Sequence, residues 1–304
     1  MAEAHNTQGA SLTASDSPSS ARTALLTSLA MVGFAANSVL CRLALGDAAI
    51  DAASFSTLRL VSGALTLATL SLASGRGAVW RGRSWKPAFL LFLYAVPFSF
   101  AYNSLAAGTG ALILFGAVQA TMLIAGLIGG ERPSVVEWSG LVLAMSGLIY
   151  LVFPGLTAPP LIGSALMTIA GIAWGIYSIK GRGAGDPLAD TASNFVRSVP
   201  FAAAVSLASW NRLEISATGA ILAVASGAVA SGLGYAVWYA ALTGLSATRA
   251  ASVQLSVPIL AAVGGVVFLG EAVSLRLLIA AVMILGGVAI ALRAPRPARR
   301  PLRQ

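Results

Sequence analysis

The side chains in this sequence that could do chemistry are aromatic rings, amides and two arginines placed inside apolar stretches. Trp174, Tyr177 and Ser178 fall at i, i+3 and i+4, and Tyr235, Trp238 and Tyr239 repeat the spacing. Each set therefore shares one helix face. Phe115, Gln119 and Met122 form a third face at i, i+4 and i+7. Asn37, Tyr102, Asn103 and Gln254 add uncharged donors and acceptors. Rings with a few amides and hydroxyls suit reversible binding of a small amphipathic molecule, its polar end on the amides and its apolar end on the rings. An amide in apolar surroundings has a second use, a hydrogen bond to a neighbouring helix. The sequence leaves both uses open at each position.

Arg59 and Arg197 each lie about two helical turns inside an apolar run. A charge at that depth costs at least ~2.5–3.5 kcal/mol on insertion scales, so it has a reason. One reason is a cation that binds a carboxylate or gates a path. The other is a structural arginine that snorkels or bonds the carbonyls of a paired helix. The two arginines hold equivalent places in the repeat described below, and a substrate with one carboxylate needs one cation. The structural role is therefore the expectation. Pro258 removes a backbone donor near the middle of its run and is the hinge candidate.

Covalent and metal chemistry find no residues to carry them. Cys41 is the one cysteine and His5 the one histidine. That leaves no disulfide pair, no Cys/His metal cage and no imidazole beside a nucleophilic serine. The expectation is a non-enzyme with no cofactor and no metal.

The elements that must position these residues are membrane helices. The 304 residues are 57% hydrophobic and only 10% charged, against about 25% charged in a soluble domain. Ten apolar runs approach the roughly 20 residues a crossing helix needs: 23–45, 52–74, 87–106, 109–129, 135–153, 161–180, 189–209, 217–241, 248–269 and 274–293. The fold class is an all-α polytopic membrane protein of ten transmembrane helices. Residues 1–22 read as a disordered cytoplasmic extension with no signal-peptide start, and 294–304 as a basic cytoplasmic tail. With the amino terminus inside, 14 of the 19 Lys and Arg fall in inside segments, and Arg42, Arg212 and Arg276 fall outside. This bias places both termini in the cytoplasm. The basic residues form no stripe with interleaved aromatics, so the +9 charge is read against anionic lipid and not nucleic acid. Gly126 with Gly130, and Gly171 with Gly175, have the spacing that lets helices approach closely. Trp138, Tyr150 and Trp210, near run ends, fit interfacial belts.

Fixed offsets relate the two halves. Gly33 and Gly171, Arg42 and Lys180, and Arg59 and Arg197 lie 138 residues apart. Glu131 and Glu271, Ser134 and Ser274, and Gly147 and Gly287 lie 140 apart. Five helices per half is an odd number, so the halves, 23–153 and 161–293, must be inverted repeats, with a site expected between them near the midplane.

The segment YAVWYAALTGLSATRAASVQLSVPILAAVGGVVFLGEAVS, residues 235–274, and GIAWGIYS, residues 171–178, resemble the EamA domains of the drug/metabolite transporter superfamily. The likeness extends over about 23–293. It departs where Ala36-Asn37 replaces a common Trp-Gly and where Val118 stands opposite Pro258. The resemblance implies ten helices, helices one to four and six to nine around a cavity, and inner-membrane export or exchange of small metabolites by alternating access. Amino acids are the leading substrate class. The second reading is a proton-coupled multidrug antiporter of lipophilic cations, which would need a carboxylate in mid-membrane. Asp47, Asp51, Asp186, Asp190 and Glu214 all fall in or beside loops instead. The expected partners are a small-molecule substrate and membrane lipid, and a homodimer is compatible with the chain. The Gly-Glu endings at Glu131 and Glu271 read as marks of where the chain leaves lipid. Ser134 and Ser274 follow as N-caps of the next helices, the first in a capping box with Glu137.

Overall fold

A computed structural model describes residues 20–46, 48–75, 84–129, 134–153, 155, 158–181, 185–245, 250 and 253–293. Residues 1–19 of the polar extension, the basic tail, Gly130 and Glu131 lie outside the described residues.

The described residues form ten helices: α1 (Ser20–Gly46), α2 (Ala52–Ala73), α3 (Lys86–Ala101), α4 (Ala107–Ile128), α5 (Val135–Val152), α6 (Leu161–Lys180), α7 (Pro187–Ala208), α8 (Ala217–Leu242), α9 (Ser256–Leu269) and α10 (Leu275–Arg293). Six of them, α1, α2, α4, α5, α6 and α8, are long and apolar enough to cross a membrane. The helices α3, α9 and α10 are apolar but shorter. The helix α7 is long, but it carries Asp190 and Arg197.

Two runs end differently from the sequence reading. The run 87–106 stops at Ala101, because Tyr102 to Ser104 form a turn that leads into α4. The run 248–269 breaks at Leu255. Pro258 has no N–H to give the Gln254 carbonyl one turn earlier, so the ladder is interrupted there. Pro258 thus stands in the first turn of α9 and not at the centre of a helix.

Local chemistry sets the helix ends. The Asp51 carboxylate accepts from the Ala53 and Ser54 amides, at 3.0 and 2.9 Å, and caps α2. Ser216 and Asp186 cap α8 and α7 in the same way. Ser134 and Glu137 form the expected capping box on α5, and Ser274 accepts from the Leu277 amide on α10 at 3.1 Å. The α1–α2 and α7–α8 connections meet edge to edge, with the Asp51 amide donating to the Glu214 carbonyl at 2.8 Å.

Helix α8 contains a π-helical stretch, Ala225–Leu233, built from small residues, ASGAVASGL. A wider turn exposes backbone and lets a neighbour approach closely. Here the neighbour is α2. A Cβ on Gly227 would run into the Arg59 carbonyl and the Ser62 hydroxyl, so only glycine fits. Elsewhere α6 lies against α4, with Gly171 facing Ala117 and Gly175 facing Thr121. α2 packs on α7, and α3 on both α6 and α7. α1 packs on α8 and α9, and α4 on α9. α5 and α10 pack chiefly on each other and reach the rest through α4. Trp138, Tyr150 and Trp210 are exposed.

Candidate functional site

A cluster of aromatic rings occupies the space between α1, α3, α6, α7 and α8. The Trp174 ring lies 4.8 Å from Tyr94, 5.4 Å from Tyr177 and 5.7 Å from Tyr235, centroid to centroid. Tyr235 in turn meets Phe34 at 5.7 Å, Phe195 at 5.9 Å and Tyr239 at 6.1 Å. Trp238 meets Phe34 edge-on at 6.0 Å. Helical spacing brings Trp174 to Tyr177 and Tyr235 to Tyr239, and packing joins the two faces. The hydroxyls point to polar partners: Tyr239 to Thr191 at 2.6 Å, and Tyr177 accepting from the Asn194 amide at 3.2 Å. The polar tips thus face α7 while the ring faces stay together.

Arg59 lies at the Tyr94 end of this cluster and is 3% exposed. Its Nη2 donates to the Tyr94 hydroxyl at 3.0 Å. Its guanidinium carbon sits 4.8 Å from the Phe98 ring centroid and 5.3 Å from that of Tyr94. Desolvated cation–π contacts contribute about 2 kcal/mol and so offset much of the burial cost. Among the described residues, Nη1 finds no hydrogen-bond partner. A buried donor left unpaired costs about 1–3 kcal/mol. The expected bonds to carbonyls of a paired helix are not the ones Arg59 makes. Arg197, also buried, has interactions of its own.

The structure separates the remaining sequence candidates. Trp174, Tyr177, Tyr235 and Trp238 are all in the ring cluster. Asn37 is buried between α1 and α8, where its Oδ1 accepts from Ser226 at 2.8 Å and Ser231 at 3.2 Å. Tyr102 is fully buried at the α3–α4 turn. Its hydroxyl donates to the Ala107 carbonyl at 3.3 Å and its ring covers Gly110. Asn103 is exposed in the same turn. Gln119 on α4 and Gln254 ahead of α9 are half-buried. Sequence reasoning passed over Tyr94, Phe34, Phe98, Phe195 and Asn194. Tyr94 was findable, because a buried arginine needs an acceptor and Tyr94 sits at mid-helix in α3.

Just after α9, the chain reaches across to α1 and to the start of α4. Glu271 receives the Ala107 amide at 2.8 Å on one carboxylate oxygen and 3.1 Å on the other. It also pairs with Arg42 at 3.4 Å. Arg42 donates in turn to the Tyr102 carbonyl at 3.1 Å. Ala106, the residue before α4, offers no side-chain cap, so Glu271 caps α4 from across the fold. Gly270 makes this geometry available. Its φ of +63°, which a side chain disfavours, ends α9 and turns the chain back. Glu271 is therefore more than a mark of where the chain leaves lipid.

Two cavities lie away from the rings. One, of about 510 Å³, is lined by Leu43, Ala49 and Leu222, among others, near the α1–α2 turn. The other, of about 460 Å³, lies between α3, α6 and α7 and is lined by residues that include Phe89, Ile176 and Phe201.

Apolar helices, six of them long enough to cross a membrane, packed around an aromatic centre make a polytopic membrane protein. Residues 161–293 match the model of the EamA-like transporter family. The chain belongs to that family, within the drug/metabolite transporter superfamily. It is 55% identical over 278 residues to an uncharacterized protein of Pseudomonas aeruginosa, PA1977, covering 91% of this chain and 96% of that one. A solved structure described only as "Crystal structure of protein" aligns with a TM-score of 0.62 at 20% identity, covering 87% of this chain and 98% of its own. That likeness is one of fold.

Proposed function

We propose that the protein exports or exchanges small metabolites, amino acids first among them, across the inner membrane by alternating access. The reading takes the ten helices as ten spans with both termini in the cytoplasm, arranged as two inverted five-helix repeats around one site. The observation that carries it is the ring cluster, which draws α1 and α3 from one half and α6, α7 and α8 from the other. The packing supports the repeat. Exchanging the halves turns the α3–α6 contact into α8–α1, α4–α6 into α9–α1 and α3–α7 into α8–α2, and all of these are present. Gly147 lies against Ile284 and Gly287 against Ala144, and a shift of 140 residues converts one contact into the other.

The proposed lining consists of Trp174, Tyr177, Tyr235, Trp238 and Tyr94, with Gln119 and Gln254 nearby. Asn37 and Tyr102 act as struts behind it. Pro258 and the interrupted ladder before it form the hinge, and the Arg42–Glu271 contact holds one end closed. The outward faces of α5 and α10, including Val142 and Val282, meet lipid or, in a homodimer, a second copy. Counterflow of radiolabelled amino acids in proteoliposomes tests the class. Exchange of at least one amino acid is expected. Absence of any amino-acid exchange, beside pH-driven uptake of a lipophilic cation, would replace this reading with the drug antiporter.

A further inference from the structure

We infer that Arg59 is the anchor for a substrate carboxylate, and that the site selects an apolar monocarboxylate by its acid group and not by an ammonium group. This rests on the transport reading above.

Three observations carry it. First, the guanidinium is always ionised, and Arg59 is buried with Nη1 unpartnered. Second, among the described residues its charge has no counter-ion nearby. The ionisable groups that face it are Tyr94 and Tyr235 from the cluster and Cys41 from α1, with no carboxylate among them. Glu271 is committed to Arg42 and Ala107. Third, the orphan donor sits where the rings begin. From Tyr94 they continue through Trp174 and Tyr235 to Tyr239.

A carboxylate set against Nη1 would gain a charge-assisted hydrogen bond and neutralise the buried cation. The apolar remainder would then lie among the rings once Trp174 or Tyr235 turns aside. The same surroundings offer an ammonium group no anion, and Arg59 repels it. An amino acid is then held chiefly through its acid end, and an organic acid lacking the amino group binds as well or better. The equivalence of Arg59 and Arg197 in the repeat does not make them equivalent in use. Among the described residues, Arg59 lies against Tyr94 and Phe98 and has Nη1 unpartnered.

The test uses purified full-length protein in lipid nanodiscs and four probes of similar size. These are 3-phenylpropanoate, L-phenylalanine, L-phenylalaninamide and 2-phenylethylamine. Binding is read by tryptophan fluorescence, which Trp174 should report, and by thermal shift. Wild type is expected to bind both carboxylates at least about tenfold more tightly than the amide or the amine, as a charge-assisted bond implies. Arg59→Met should abolish that preference and Arg59→Lys retain part of it, while Arg197→Met, if monodisperse, keeps it. Should Arg59→Met fail to fold, Tyr94→Phe serves instead, with the preference for the carboxylates over the amide expected to be lost. Equal binding of phenylalanine and its amide overturns the inference. So does a carboxylate preference that survives Arg59→Met, or Tyr94→Phe where that variant stands in, and so does no carboxylate binding by folded protein. Counterflow of amino acids alongside any of these results leaves the transport reading standing and removes only the anchor.

Discussion

Replacing Glu271 with alanine removes two contacts at once, and the structure allows each to be weighed. The first is the cap on α4, where both carboxylate oxygens lie within 3.1 Å of the Ala107 amide. Loss of an N-cap costs about 1 kcal/mol. The second is the pair with Arg42, at 3.4 Å between groups 27% and 15% exposed. Solvent screening at that exposure holds it to about 0.5–1 kcal/mol. The sum, about 2 kcal/mol, corresponds to roughly a 30-fold rise in the opening of this end of the bundle. Cys41 reports the opening. It is the only cysteine, fully buried, and adjacent to Arg42. Its labelling by a maleimide in nanodiscs should therefore accelerate about 30-fold in Glu271→Ala, if labelling proceeds through the open state. Glu271→Gln keeps an acceptor for the amide and loses the charge, so it should accelerate labelling only about fivefold, from the pair term alone. Ser274→Ala removes the cap of α10 at the same connection but leaves the contact with α4 intact, and should change Cys41 labelling little. If Glu271→Ala labels at the wild-type rate, the cross-fold cap does not hold this end closed and the reasoning fails.

Three further outcomes follow from the packing. Asn37→Ala leaves the Ser226 and Ser231 hydroxyls without their acceptor, and by the scale of interhelical bonds in membranes it should cost about 1 kcal/mol in a denaturant titration. Gly227→Ala drives a methyl into the Arg59 carbonyl and should cost more than about 3 kcal/mol, read as loss of the monodisperse peak in size-exclusion chromatography. Normal behaviour would mean that α2 and α8 do not approach as described. Trp174→Ala and Gln254→Ala should each lower counterflow without lowering expression. Wild-type rates in both would remove these residues from the lining.

Much of the helical framework was readable because it is local. Apolar length alone placed α2, α5, α6 and α8 almost to the residue, since a membrane leaves helix as the economical way to satisfy the backbone. The capping box of Ser134 and Glu137 was readable for the same reason, as its partners are three residues apart. The grouping of the aromatic rings was readable in part. Spacing grouped Trp174 with Tyr177 and Tyr235 with Tyr239, and the structure brings those pairs together. Spacing could not say that Asn103 faces outward while Asn37 faces inward. Both are asparagines within apolar runs, yet Asn103 falls in the turn after α3 while Asn37 lies inside α1 against Ser226 and Ser231.

By itself the sequence determined that the chain is helical and apolar, and that Arg59 is a charge inside an apolar run, where charge needs a reason. Those properties follow from residue type and near-neighbour spacing. Only the tertiary structure decided which groups Arg59 and Glu271 meet. Glu271 caps a helix 164 residues away, and Arg59 meets a tyrosine 35 residues away with one nitrogen left over. Hydrogen bonds and ion pairs act over a few ångströms, so their partners are fixed by which helices pack together, and no local pattern in the chain records that choice.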